Sequence, residues 1–187
     1  MSNHFEIFPT PIIGLHVLQR KPLGDERGYF ERLFCLNELQ SVITNKTIVQ
    51  INHTLTVKRG TVRGMHFQHP PYAEVKIVSC MRGQAFDVAV DVRRDSPTFL
   101  KWYGEILTAD NLKTIIIPEG FAHGFQTLTD DCEMLYFHTA AFQPDAEGGL
   151  NAKDPNLAIQ WPLPIIELSP RDLAHSYLTP DFSGVVQ

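Results

Sequence analysis

Cysteine is scarce and poorly spaced for structural work. The three thiols, Cys35, Cys80 and Cys132, form no CxxC pair, so neither a zinc knuckle nor a disulfide framework is indicated. They read as buried or half-buried free thiols. Long apolar runs are missing too. None approaches the length needed to span a bilayer, and the opening MSNHFEIFPT has no apolar segment of signal-peptide type. There is no surplus of positive charge: 16 Lys and Arg stand against 21 Asp and Glu, a net charge of −5. That argues against a general nucleic-acid or membrane surface. No glycine-rich loop follows a strand and opens a helix, so phosphate-loop and dinucleotide-binding readings fail, and there is no G-x-S-x-G elbow. Repeats, linkers and low-complexity stretches are absent. These absences leave a soluble, cytoplasmic protein as the expectation.

What is present is a chain of 187 residues, 43% apolar and 20% charged, enough for one domain over 1–187 with a sizeable core. Most of it reads as short strands separated by turns. HVLQRKPLGDERGYFERLF predicts a strand, a turn at Gly24-Asp25 and a second strand. EVKIVSCMRGQAFDVAVDVR alternates: Val75, Ile77 and Ser79 face one way, Lys76, Val78 and Cys80 the other. Arg82-Gly83 then predicts a hairpin turn, with carboxylates on one face of the next strand. TIIIPEGFAHGFQTL and CEMLYFHTAAF add further strands. Helix signals are limited to LNELQSV, 36–42, with Asn37 as cap, and a short helix in SPRDLAHSYL. The expected fold is all-β, a sandwich or barrel of short strands whose edges need cover.

Within that pattern, TVRGMHFQHP does not read as core. Alternation sends Arg63, Met65 and Phe67 to one face and Val62, Gly64, His66 and Gln68 to the other, so neither face is cleanly apolar. A polar-lined cavity inside a barrel accounts for it. Metal-binding barrels of the cupin type carry G-x5-H-x-H and P-x-G-x-x-H. Pro118 to His123 fits the second, but after Gly60 and His66 the first offers Gln68 instead of histidine, a poor ligand set, so no metal is expected. His66 is a candidate general base, and Asp87, Asp91 and Asp172 are all candidates to orient it. Tyr136, with Met134 and His138 on its face, is a candidate proton donor. Lys76 interrupts an apolar strand and calls for an anion. Arg27, Arg59 and Arg63 suit phosphate recognition.

DERGYF, QINHT, RGTVRGMHFQ, EVKIV, GQAFDVAVDVRRDSPTF, IPEGFAHGF, EMLYFHT and DPNLAIQWP occur in this order between about residue 5 and residue 180. In these segments the chain resembles the dTDP-4-dehydrorhamnose 3,5-epimerase family. The resemblance implies a cupin-type jelly-roll double-sheet barrel with a few short peripheral helices. It implies epimerisation at carbon 3, carbon 5 or both of a nucleoside-diphosphate 4-keto-6-deoxysugar, through an enolate, with no cofactor. It implies a homodimer. By position, His66 matches the base, Asp172 the aspartate that orients it, Tyr136 the acid on the other face and Lys76 the cation beside the ketone. His123 and Arg63 match the sugar and phosphate site. Arg27, Gln50 and Asn52 match nucleotide and phosphate contacts, some of which cross a dimer interface in the family, and Glu147 and Arg171 are counted among the substrate-binding residues. A twist or bulge near Gly64 is then expected, to bring Arg63 and His66 to one cavity.

Departures from the family pattern are Arg32 where a glutamate is usual, Thr54 for serine, Ala152 near the place of a tryptophan, and Phe142 for a tyrosine. They leave open a relative that inverts a single carbon or takes another nucleotide sugar. A non-catalytic nucleotide-sugar-binding cupin is the reading from a different class.

Overall fold

The computed structural model describes residues 4–186. Two sheets face one another. The larger has six strands in the order β1 (Phe5–Pro9), β2 (His16–Arg20), β10 (Lys113–Ile117), β7 (Lys76–Arg82), β12 (Cys132–His138) and β5 (Gln50–Thr56). The second has five, in the order β13 (Glu147–Gly149), β6 (Val62–Gln68), β11 (Phe121–Thr127), β8 (Gln84–Asp91) and β9 (Trp102–Thr108). A separate hairpin pairs β3 (Leu23–Asp25) with β4 (Gly28–Phe30). Among the described residues two short α-helices accompany them, α1 (Leu36–Leu39) and α2 (Pro170–Ala174). The all-β, double-sheet cupin-type expectation holds.

Three local expectations are corrected. β7 and β8 are not a hairpin: β7 bonds to β10 and β12, and β8 to β9 and β11 in the other sheet. In this jelly roll the chain steps between sheets at Gly83, so an alternating pattern with a Gly turn does not imply pairing. The turn of the small hairpin falls after Asp25, because Gly24 and Asp25 are themselves in β3. The first helix is one turn, 36–39, capped at Cys35 without a side-chain bond, so Asn37 is no cap.

Three apolar clusters explain why few strands show an exposed face. Val78, Cys80, Ala89, Phe125 and Met134 fill the space between the sheets. Phe5, Leu39, Ile43, Ile77 and Phe137 pack on the outside of the larger sheet. Met65, Phe67, Val88 and Val90 are covered on the outside of the smaller sheet by the C-terminal segment, with Leu157 and Trp161. β7 and β8 are therefore buried on both sides and read as nearly continuous apolar runs.

The irregularity at Gly64 is present. β6 opposes β11 with His66 against His123 and Arg63 against Phe125, so three steps on β6 match two on β11. That one-residue bulge resets the alternation, and Arg63 and His66 both line the space between the sheets. Met65 and Phe67 stay in the outer core.

Candidate active site

One cleft of about 1250 Å³ opens between the sheets. β6 contributes Arg63 and His66, β7 Lys76, β11 His123, β12 Tyr136 and His138, β5 Asn52, and α2 Arg171 and Asp172. Glu147 lies on its rim and on that of an adjoining recess of about 620 Å³, which also takes in Gln50 and Glu74.

Asp172 owes its place to a helix start. Pro170 occupies the first turn of α2 and the Ser169 hydroxyl accepts from the Asp172 backbone N–H at 3.1 Å, which turns the buried carboxylate back toward β6. Its Oδ1 lies 2.7 Å from His66 Nε2, and the Gly64 N–H donates to Oδ2 at 3.3 Å. Burial alone raises a carboxyl pKa, but the His66 bond and charge and the Gly64 and Ser169 bonds outweigh it and hold Asp172 at about 2. Asp172 thus stays ionised beside the imidazole.

Tyr136 projects from the opposite sheet, its hydroxyl 3.4 Å from Thr54 Oγ1. Burial pushes this phenol above its ordinary range, so it holds its proton at neutral pH. Lys76 Nζ is 3.1 Å from Glu74 Oε1 and donates to the His66 carbonyl at 3.3 Å. Arg63 Nε donates to Thr56 Oγ1 at 2.9 Å. Arg171 pairs with Glu147 at 3.0 Å, and its Nη2 sits 3.1 Å from His66 Nε2. Of the aspartates that spacing leaves open, Asp87 instead holds His123, at 2.9 Å, and Asp91 binds Arg93, Ser96 and Thr98.

Ten of the eleven expected site residues line the two recesses. The exception is Arg27. It lies on the exposed β3–β4 turn, paired with Asp25 at 2.5 Å, and touches neither recess of its own chain. Arg32, which stands where a glutamate is usual in the family, is bound to Glu38 at 2.6 Å and lines neither recess of its own chain. Ala152 is buried and its carbonyl accepts from the Trp161 indole at 2.8 Å. Phe142 is on the rim of both recesses.

Glu74, His138 and His175 are site neighbours outside the expected set. Glu74 joins Lys76 to His138; the E-x-K spacing before β7 was the available signal. His175 packs its ring 6.3 Å from that of His66. Donor atoms of His66, Asp172 and His175 lie within 4.8 Å of one another, a set with the right elements for a divalent ion. The Arg171 guanidinium beside the same His66 nitrogen puts positive charge where the ion would bind, and the set does not fit a resident metal.

Comparison with known proteins gives concordant results. A family model described as dTDP-4-dehydrorhamnose 3,5-epimerase matches residues 9–179. The dTDP-4-dehydrorhamnose 3,5-epimerase of Salmonella typhimurium is 42% identical over 170 residues, 90% of this chain and 92% of that one. Among solved structures, dTDP-6-deoxy-D-glucose-3,5-epimerase from Legionella pneumophila, in complex with dTDP-4-keto-L-rhamnose, superposes with a TM-score of 0.90 at 36% identity, covering 98% of this chain and 100% of that one. A 3'-monoepimerase from Streptomyces bikiniensis, in complex with dTDP-quinovose, superposes with a TM-score of 0.83 at 30% identity, covering 90% and 86%. Sequence and fold agree along nearly the whole length, and the chain belongs to the dTDP-4-dehydrorhamnose 3,5-epimerase family.

Proposed function

We propose that this protein is an isomerase that inverts carbon 3, carbon 5 or both of a nucleoside-diphosphate 4-keto-6-deoxysugar, with dTDP-4-dehydro-6-deoxy-D-glucose as substrate and dTDP-4-dehydro-L-rhamnose as product. The ketone acidifies the hydrogens on its neighbouring carbons. His66 takes one such proton, and the electron pair of the broken C–H bond moves into an enolate. The Asp172 carboxylate stabilises the imidazolium so formed. The Lys76 ammonium faces the developing enolate oxygen. Tyr136 then gives its proton to the same carbon from the other side, and the carbon inverts. Each step moves a proton and an electron pair within substrate and side chains, so the sequence as written calls for no redox partner. Arg63, Arg171 and His123 bind sugar and phosphate, with Glu147 holding Arg171 and Gln50 and Asn52 on the adjoining wall.

The observation that carries this reading is the placement of His66 on β6 and Tyr136 on β12, in opposite sheets around one hollow. A proton can leave one face of a bound sugar and arrive at the other. The test is incubation with the dTDP ketosugar in deuterated water, read by carbon position. Deuterium at carbons 3 and 5 supports the double inversion; label at one carbon selects a single-carbon epimerase, as in the Streptomyces bikiniensis neighbour; no label at either rejects the proposal.

The chain is further proposed to act as one cytoplasmic domain and as a homodimer. β5 is an edge strand with Ile51 and Leu55 exposed, and the β3–β4 hairpin exposes Leu23, Tyr29 and Phe30. A second copy covering these surfaces would carry Arg27 toward a partner's cleft. Sedimentation as a monomer at micromolar concentration rejects this part.

A further inference from the structure

Glu74 is a buried carboxylate in the recess that adjoins the cleft, and the reaction described above does not use it. Its side chain is 8% exposed, with Lys76 at 11% and His138 at 10% beside it. Its backbone is fixed just ahead of β7, where the Val75 N–H donates to Thr139 Oγ1 at 2.8 Å and the Thr139 N–H to the Val75 carbonyl at 3.2 Å. One carboxylate oxygen lies 3.1 Å from Lys76 Nζ and the other 3.0 Å from His138 Nδ1. The chain of contacts continues. Asn52 Nδ2 faces His138 Nε2 at 3.3 Å, and the His138 ring stacks on Tyr136 with centroids 6.1 Å apart.

Hydrogen-bond chemistry orders this chain. A carboxylate only accepts, so His138 presents Nδ1–H to Glu74, and its Nε2 is then free to accept from the Asn52 amide. Lys76 has three N–H donors. Glu74 takes one and the His66 carbonyl another, leaving one for an oxygen of a bound ligand. Burial raises the Glu74 pKa, but the bonds and charges of His138 and Lys76 more than offset this, and the group lies below its ordinary range. A buried ammonium deprived of its counter-charge is costly and reorients toward water or another anion.

We propose that Glu74 is a positioning residue for epimerisation: held from behind by His138, its carboxylate fixes the Lys76 ammonium so that one N–H points into the hollow at the substrate's carbonyl oxygen. This rests on the reaction proposed above. Lys76 touches the ketone; Glu74 acts only through Lys76. The carboxylate's charge, and not its bulk, is the operative property. Lys76 needs that anchor because its four-carbon stem is flexible, whereas enolate stabilisation depends on a donor placed before the charge develops.

The test compares Glu74→Gln with Glu74→Asp by steady-state epimerisation and deuterium incorporation, with the unchanged protein run alongside. Gln keeps the volume and loses the charge; Asp keeps the charge and loses one methylene. Glu74→Gln is expected to lower kcat about ten-fold or more while KM stays within about three-fold. Glu74→Asp is expected to retain at least about three times the kcat of Glu74→Gln. A packing role predicts the reverse order, and that order overturns the inference. In a Lys76→Met background either Glu74 substitution should change kcat less than about two-fold. The same loss in both backgrounds also overturns it, and this cycle can be run on Glu74→Asp alone where Glu74→Gln does not fold. Unchanged protein that incorporates no deuterium rejects the reaction itself and this inference with it. Unchanged protein that exchanges, with Glu74→Gln retaining full kcat, rejects the inference alone.

Discussion

His66 Nε2 and Asp172 Oδ1 lie 2.7 Å apart although 106 positions separate them in the chain. The contact joins strand β6 to helix α2 and assigns the tautomer of the imidazole from the chemistry of its acceptor. The ionised carboxylate can only accept, so Nε2 keeps its hydrogen and donates it to Asp172, and Nδ1 is the nitrogen with a free lone pair. The Arg171 Nη2, 3.1 Å from the same Nε2, is a donor and makes no hydrogen bond to a protonated Nε2; the acceptor for this guanidinium is Glu147, through Nη1. Asp172→Asn keeps the volume but removes the charge that stabilises an imidazolium. Its kcat is expected to fall about 10²–10⁴-fold, and His66→Ala at least as far. Steady-state turnover on the dTDP ketosugar measures both. A His66→Ala protein with unaltered turnover means that another group is the base.

Tyr136 offers a different signature. Tyr136→Phe removes the acid and leaves the base. Abstraction by His66 and return of a solvent-derived proton to the same face can continue. The expected result is deuterium entering the substrate with its configuration retained, while epimer formation falls by about 100-fold or more. Nuclear magnetic resonance of the recovered sugar separates the two. Epimer produced at the original rate would exclude the phenol as donor.

The sequence carried the architecture further than the connections. Alternation in VKIVSC placed Val78 and Cys80 on one side and Ile77 on the other, and these residues do fall into different clusters. It could not say that β7 and β8 part company at Gly83, because sheet membership depends on long-range pairing and not on local period. The polar interruptions at Arg63, His66 and Lys76 were legible because a core strand has no use for them. The choice among Asp87, Asp91 and Asp172 was not, since helix α2 returns over β6 from far along the chain. Family resemblance pointed to Asp172, and the fold explains it. Glu74 escaped notice because a charge two residues from a lysine is ordinary on a surface, and only burial distinguishes it. Arg27 matched a family position, yet its hairpin stands clear of the cleft of its own chain.

The Asp172 carboxylate also makes stability depend on pH. Its pKa is about 2 in the fold against an ordinary 3.8. A depressed carboxyl binds its proton more readily in the unfolded chain, so its contribution is complete above about pH 4 and disappears as pH falls toward 2. The size is about 2 kcal/mol for this buried group. Urea unfolding of the original protein and Asp172→Asn should therefore differ at pH 7 by an amount that shrinks on acidification between about pH 4 and pH 2. A difference constant across that window would mean that the pairing contributes nothing through its charge.

Gly64 is where fold and chemistry are most tightly joined. A Cβ on it would lie 2.5 Å from Gly124 Cα and 2.8 Å from the His123 carbonyl oxygen, and its φ of +128° is one that side-chain-bearing residues rarely adopt. Both obstacles are backbone, so no side-chain rotation relieves them. Gly28 supplies the comparison: its φ is +131°, but nothing lies within 4 Å of a Cβ there. Gly28→Ala bears only the conformational penalty, about 1 kcal/mol. Gly64→Ala bears that and a backbone collision, for an expected loss of about 3 kcal/mol or more. If the fold survives by straightening β6, the bulge is lost, and alternation turns either Arg63 or His66 out of the hollow. Thermal unfolding of the two variants, with turnover of any folded Gly64→Ala, tests this. Equal melting temperatures for the two alanines would show that β11 can yield, and that the close approach of β6 to β11 is not what holds Arg63 and His66 on the same side.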